Sequence, residues 1–185
     1  MDDRSTAIRQ LLAAHRRGDG EALGRVVPLL YQDLRRLARR QLRRGRGGGT
    51  LNTTALVHEA YLKVAGKDDW ESRSHFLAVA SMAMRQVMVN LARDRSAQKR
   101  GGGERPETLD EAEVMAREQA AEVLAVDAAL GRLKEIDERL CRLVECRFFA
   151  GLTEEETAAA LEVSPRTVQR DWVRARGWLR RELGR

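Results

Sequence analysis

The sequence predicts an all-α protein: two small helical domains joined by a flexible linker, the C-terminal one a helix-turn-helix. Three observations carry this expectation. Among 185 residues there are three Trp, two Tyr, three Phe and three Pro, while Ala, Leu, Arg and Glu abound; helices favour the latter, whereas sheet cores draw on β-branched and aromatic residues. Apolar residues recur at spacings of three and four, the period of a helix face. One stretch, 97–118, mixes glycine, proline and charge without any period, as linkers do. The expected organisation is therefore a domain over 1–96, a linker over 97–118 and a second domain over 119–185.

Four helical stretches precede residue 97. The first, near 3–17, carries Ile8, Leu11 and Leu12 and is ended by Gly18, Asp19 and Gly20. The second has Leu30, Leu34, Leu37, Ala38 and Leu42 on one side and Arg35, Arg36, Arg39, Arg40, Arg43 and Arg44 on the other. A glycine-rich stretch over 45–49 should stop it. Leu56, Val57, Ala60, Tyr61 and Val64 mark a third helix, and Phe76, Leu77, Ala80, Met84, Val87, Met88 and Leu91 a longer fourth. Their stripes should share one core, Phe76 included.

Beyond the linker, Leu130, Leu133, Ile136, Leu140, Leu143 and Val144 keep helical spacing up to Phe148 and Phe149. Thr153 and Glu156 then stand three apart, as in a capping box, where the hydroxyl and carboxylate each satisfy a free backbone N–H of the first turn. The helix they open is short. Ser164 and Pro165 start another, since serine caps well and proline at the first helical position loses no bond. A short helix, a tight turn and an arginine-rich helix is the helix-turn-helix plan, whose second helix enters the major groove. On that helix Val168, Trp172, Ala175 and Leu179 share one face. Near its start, Arg166, Gln169 and Arg170 have the chemistry to read base edges, and Arg174, Arg176, Arg180 and Arg181 suit phosphates.

Charge is segregated. Residues 1–100 hold 20 basic and 10 acidic side chains, residues 104–163 hold 7 and 16, and residues 164–185 hold 7 and 2. Two basic blocks flanking an acidic one imply two places for a polyanion.

Several function classes are excluded in turn. No apolar run approaches the ~18 residues of a membrane span. The N-terminus also lacks the basic start and apolar stretch of a signal peptide, so a cytoplasmic location with no membrane partner is expected. Cys141 and Cys146 stand five apart, matching neither a CxxC pair nor a disulfide framework, and read as buried thiols. His15, His58 and His75 are scattered, with no metal or triad spacing. The glycine stretches over 45–49 and 101–103 lack the GxxxxGK[ST] pattern. No enzyme, cofactor or metal site is expected.

Leu56-Val57-His58-Glu59-Ala60-Tyr61-Leu62-Lys63-Val64, the segments His75–Ser81 and Asn90–Arg95, and Leu152–Ala158 followed by Ser164–Arg170 resemble bacterial sigma factors of the extracytoplasmic-function (ECF) type of the sigma-70 family. The likeness covers nearly the whole chain in order. It implies an RNA polymerase sigma factor that directs promoter-specific transcription initiation, with core RNA polymerase (β′ coiled coil and β subunit) and promoter DNA as partners. A region 2-like first domain would dock on the polymerase and melt and read the minus-10 element. A region 4-like second domain would read the minus-35 element. By the same likeness the helix near 54–65 docks through Leu56, Val57, Glu59 and Tyr61. The minus-10 contacts fall on Trp70, Arg73, Arg85, Arg93, Arg95 and Lys99, and the minus-35 contacts on Ser164, Arg166, Thr167, Gln169, Arg170 and Arg174. Melting suits that set, because an unstacked base needs an apolar pocket and the strand behind it a basic track.

One departure from the family pattern stands out. Where related factors carry acidic residues before the docking helix, this chain has Asn52, Thr53, Thr54 and Ala55. A phosphate on Thr54 or Thr53 would restore roughly −1.5 to −2 charges at a helix N-terminus, where an anion is favoured. A Ser/Thr protein kinase is thus one candidate partner and an anti-sigma factor another; the plainer reading is that Asn52, Thr53 or Thr54 only caps the helix. The alternative to a sigma factor is a stand-alone helix-turn-helix transcriptional regulator, which would dimerise on half-sites one helical turn apart.

Overall fold

A computed structural model describes residues 3–44, 52–64, 72–98 and 111–184. Eight α-helices and one π-helical segment account for nearly all of them, with no strand among the described residues: α1 Asp3–Arg16, α2 Ala22–Arg44, α3 Thr53–Val64, α4 Arg73–Gln98, α5 Glu111–Ile136, α6 Glu138–Val144, the π-helical segment Glu145–Ala150, α7 Glu154–Leu161 and α8 Pro165–Glu182. The all-α expectation holds.

Local side chains set most helix starts. Asp19 Oδ1 accepts from the amides of Glu21 (3.0 Å) and Ala22 (3.2 Å), opening α2 directly after Gly18, which sits at φ +97°. Asn52 Oδ1 accepts from Ala55 N at 2.9 Å and Ser72 Oγ from His75 N at 3.1 Å, capping α3 and α4. The capping box of α7 forms as expected, with Thr153 N donating to Glu156 Oε2 (2.9 Å) and Glu156 N to Thr153 Oγ1 (3.1 Å). Ser164 Oγ accepts from Thr167 N at 3.1 Å, with Pro165 in the first turn of α8.

Two boundaries differ from the periodicity reading. α2 starts eight residues before Leu30 and holds Pro28 inside it, because Ala22 and Val26 already face the core with no exposed surface. The run from Leu130 to Phe149 is not one helix. Asp137 leaves helical geometry (φ −156°, ψ 95°) to cap α6, accepting from Leu140 N at 3.1 Å, and the π-helical segment shifts register before Gly151 turns the chain at φ +70°.

The apolar faces gather into two main clusters. α1–α4 contribute Ile8, Leu12, Leu30, Leu56, Phe76 and Met84 among others, and α5–α8 contribute Leu130, Leu133, Leu143, Phe149 and Val168 among others. Phe76 is fully buried, in agreement with the core reading. A third, smaller cluster of Ala78, Cys146, Ala150 and Leu152 joins α4 to the second set of helices. The stretch 97–118 is helical at both its ends, since α4 runs to Gln98 and α5 starts at Glu111. Residues 99–110 lie outside the described residues, as does the glycine-rich 45–49.

Candidate nucleic-acid and polymerase interface

The α7–α8 pair is joined by residues 162–164, with Glu162 left-handed at φ 54°. Pro165 follows at once, so α8 leaves the turn with its first amides held by Ser164. Val168 and Ala175 are fully buried on the inner face, and Trp172 and Leu179 are half-buried beside them. The outer face carries Arg166, Gln169, Arg170, Arg174, Arg176 and Arg180, all exposed. Ser164 and Thr167 are occupied locally, their hydroxyl oxygens 2.9 Å apart. Gln169 Nε2 donates to Glu154 Oε2 at 2.7 Å. Arg170, Arg174 and Arg139 converge on Asp171, which is 1% exposed, with Arg139 Nη2 3.0 Å from Asp171 Oδ2. That buried carboxylate aims two arginines along the helix surface. Sequence reading passed over Val173, which is 71% exposed among these arginines. Its distance of three or four residues from Gln169 and Arg170 was the available signal.

The basic residues expected at minus-10 divide differently. Arg85 is held between Asp127 and Glu145, the latter at 3.1 Å, and Arg93 Nη2 lies 3.2 Å from Asp127 Oδ2. Arg73 bridges Asp33 Oδ2 (3.0 Å) and Glu156 Oε1 (3.2 Å). Three arginines of α4 thus pair with carboxylates of α5, the π-helical segment and α7. Burial pushes the Glu145 carboxyl above its usual value despite the Arg85 guanidinium beside it. Arg95 is half-buried near the end of α4. Trp70 and Lys99 lie outside the described residues.

On α3 the expected docking residues separate by face. Leu56 and Val57 belong to the core cluster, 0% and 5% exposed, and position α3 against α2 and α4. Glu59 is exposed and Tyr61 half-buried. The outward apolar residue is Leu62, 58% exposed and one turn from His58 and Glu59. Thr54 is exposed and Thr53 half-buried, and the cap oxygen comes from Asn52.

A further basic surface lies on α2, where Arg36, Arg39, Arg40 and Arg43 line one groove. Cys141 and Cys146 are free and buried, and burial, with the nearby Glu145 charge, pushes both thiols up to about 11. Among the described residues no group of His, Cys, Asp and Glu could hold a metal, and no helix is long and apolar enough to cross a membrane.

A family model described as ECF sigma factor matches residues 5–185. No curated protein and no solved structure matches the chain.

Proposed function

Because the chain belongs to the ECF sigma factor family, whose members bind core RNA polymerase and promoter DNA to initiate transcription, we propose how its parts divide that work. Residues 1–96 form a region 2-like unit that docks on the polymerase and opens the minus-10 element. Residues 119–185 form a region 4-like unit that reads the minus-35 element through α8. The observation that carries this reading is the α7–α8 pair: a capping box, a three-residue turn and a serine-capped helix whose outer face starts with Arg166, Gln169 and Arg170. Arginine can pair bidentately with guanine and glutamine with adenine. Gln169 must leave Glu154 to do so.

Docking falls to the outer face of α3, where Leu62 supplies apolar area beside Glu59. The first turn of α3 holds no acidic residue. Asn52 takes the cap, so the Thr54 hydroxyl is not needed for it, and Thr54 is exposed to a kinase. A phosphate there would add charge at the positive end of α3, strengthening a dock on a basic partner surface. Thr54 is therefore the proposed modification site, with a Ser/Thr kinase as its partner.

In vitro transcription with core polymerase on a genomic library tests the main reading. New start sites that appear only with the protein are expected; unchanged starts would refute it, and dimeric binding to duplex DNA without polymerase would identify a stand-alone regulator. For the switch, Thr54→Glu and kinase-treated protein should bind core polymerase severalfold tighter than the unmodified chain. Equal affinity in all forms would leave Asn52 capping as the whole role of this segment.

A further inference from the structure

α2 holds seven arginines, one aspartate and no lysine, and its arginine face takes no part in the work assigned above. Four of the seven, Arg36, Arg39, Arg40 and Arg43, line a groove of about 430 Å³ to which no other described residue contributes. Arg36, Arg39 and Arg43 are exposed and Arg40 is half-buried. Spacings of three and four keep them on one side of the helix. Among the described residues only Arg36 of the four has a carboxylate partner, Asp33, whose single charge also answers Arg4 and Arg73. Arg40 fits against Gly151: left-handed at φ +70°, that glycine leaves the space the guanidinium fills, and a Cβ there would collide with it. The groove therefore keeps its positive charge in the folded chain, unlike Arg73, Arg85 and Arg93, which acidic residues of the second set of helices meet.

The composition of the groove selects its partner. A protein partner needs apolar area at the centre of its interface, and no described apolar residue lines the groove. A single strand is gripped by stacking its bases on aromatic rings, and no described ring lines it either. What remains is an anion recognised by charge and bidentate hydrogen bonds alone, which is how guanidinium meets phosphate. From residue 36 to residue 43 the helix rises about 10 Å. That length matches about three successive phosphates of one DNA strand, each advancing roughly 3.4 Å along the duplex. A lone phosphate would leave most of the row unanswered.

We propose that this arginine groove seats one strand's phosphates of duplex DNA, independently of sequence. It is a basic surface additional to those of α4 and α8, and it adds affinity without specificity. The grip needs neither the minus-10 nor the minus-35 assignment, and it is available while the arginines of α4 are paired with carboxylates.

The test measures binding of the full-length protein, without polymerase, to a fluorescent duplex of random sequence by anisotropy across a salt series. Log affinity falls against log salt by about 0.9 for each phosphate neutralised. Arg39→Gln combined with Arg43→Gln should therefore lower the slope by about 2 and weaken binding at least about tenfold at low salt. Arg16→Gln combined with Arg17→Gln removes equal charge from exposed positions at the end of α1 and should change the slope less than half as much. Arg39→Lys combined with Arg43→Lys should keep most of the slope, and unchanged circular dichroism should show every variant folded. Equal losses in the two glutamine pairs, or no loss at 39 and 43, would overturn the seat, as would a lysine pair that binds as poorly as the glutamine pair. A greater loss on a single strand or on polyglutamate than on duplex would refute the assignment to duplex DNA. Because neither promoter nor polymerase enters the measurement, its failure leaves the sigma-factor reading to the transcription assay.

Discussion

Asp33 shows how one buried carboxylate fixes several elements. It is 4% exposed and receives Arg4 of α1 (3.2 Å), Arg36 of its own helix and Arg73 of α4 (3.0 Å). Burial alone would raise its carboxyl, but the hydrogen bonds and charges of Arg36 and Arg73 outweigh that and hold it below its ordinary value of 3.8. A folded-state value below the unfolded one stabilises the protein above the unfolded value and is lost as pH falls through the folded one. Asp33→Asn should therefore cost about 1–2 kcal/mol at pH 7, a difference that shrinks as pH drops below 3.8; urea unfolding of both proteins at pH 7 and pH 3 checks it. Backbone strain offers the opposite sign at Glu162, which ends α7 in the left-handed region. A side chain there costs about 1–2 kcal/mol, part of which glycine gives back as unfolded-state entropy. Glu162→Gly should thus stabilise the fold by about 0.5–1 kcal/mol, seen as a higher urea midpoint at unchanged slope.

The helices differ in what they ask of the same residue types. On α3, Leu56 and Leu62 are alike in the sequence and opposite in the fold, one in the core and one outside. Leu56→Ala should cost about 2–5 kcal/mol of stability. Leu62→Asp should leave stability nearly unchanged and weaken core polymerase binding about tenfold, by roughly 1–2 kcal/mol of lost apolar burial. Unfolding curves beside a polymerase-binding assay separate the two, and equal loss of binding without unfolding in Leu56→Ala would return that residue to the docking surface. On α8, Arg166→Ala should relax base preference and cost about 1–3 kcal/mol in minus-35 binding. The caps of α7 and α8 were legible in the sequence because Thr153, Glu156, Ser164 and Pro165 act within one turn, where spacing determines geometry. The inward face of α3 was legible too, since Leu56, Val57, Ala60 and Val64 keep helical spacing and all bury; that Tyr61 on the same stripe stays only half-buried was not, because packing against α2 and α4 decides it. The start of α2 was missed for a related reason: Pro28 reads locally as a boundary, yet Val26 and Ala22 bury completely before it.

The pairing of the two sets of helices lay beyond sequence reading, because its ion pairs join residues 34 to 83 positions apart. Segregated charge is legible as two basic blocks around an acidic one, and a polyanion is the natural partner to infer for the basic ones. In the folded chain the acidic block answers part of that charge itself: Asp127, Glu145 and Glu156 meet Arg85, Arg93 and Arg73. If those arginines handle the minus-10 strand, the arrangement seen must open before they reach it, and its ion pairs compete with DNA. Asp127 is the pivot, since it serves both Arg85 and Arg93. Asp127→Lys replaces attraction by repulsion against both, while Asp127 itself belongs to neither core cluster. A partly buried pair of this kind is worth about 1–2 kcal/mol, or roughly five- to thirtyfold in an opening equilibrium. The variant should therefore show a larger radius of gyration by small-angle scattering and bind core polymerase and promoter severalfold more readily, with the gain shrinking at high salt as the wild-type ion pairs are screened too. A variant as compact as wild type, with the same affinity at low salt, would mean that the apolar contacts of Ala78, Cys146, Ala150 and Leu152 hold the seam and that the arginines are spectators of its closure.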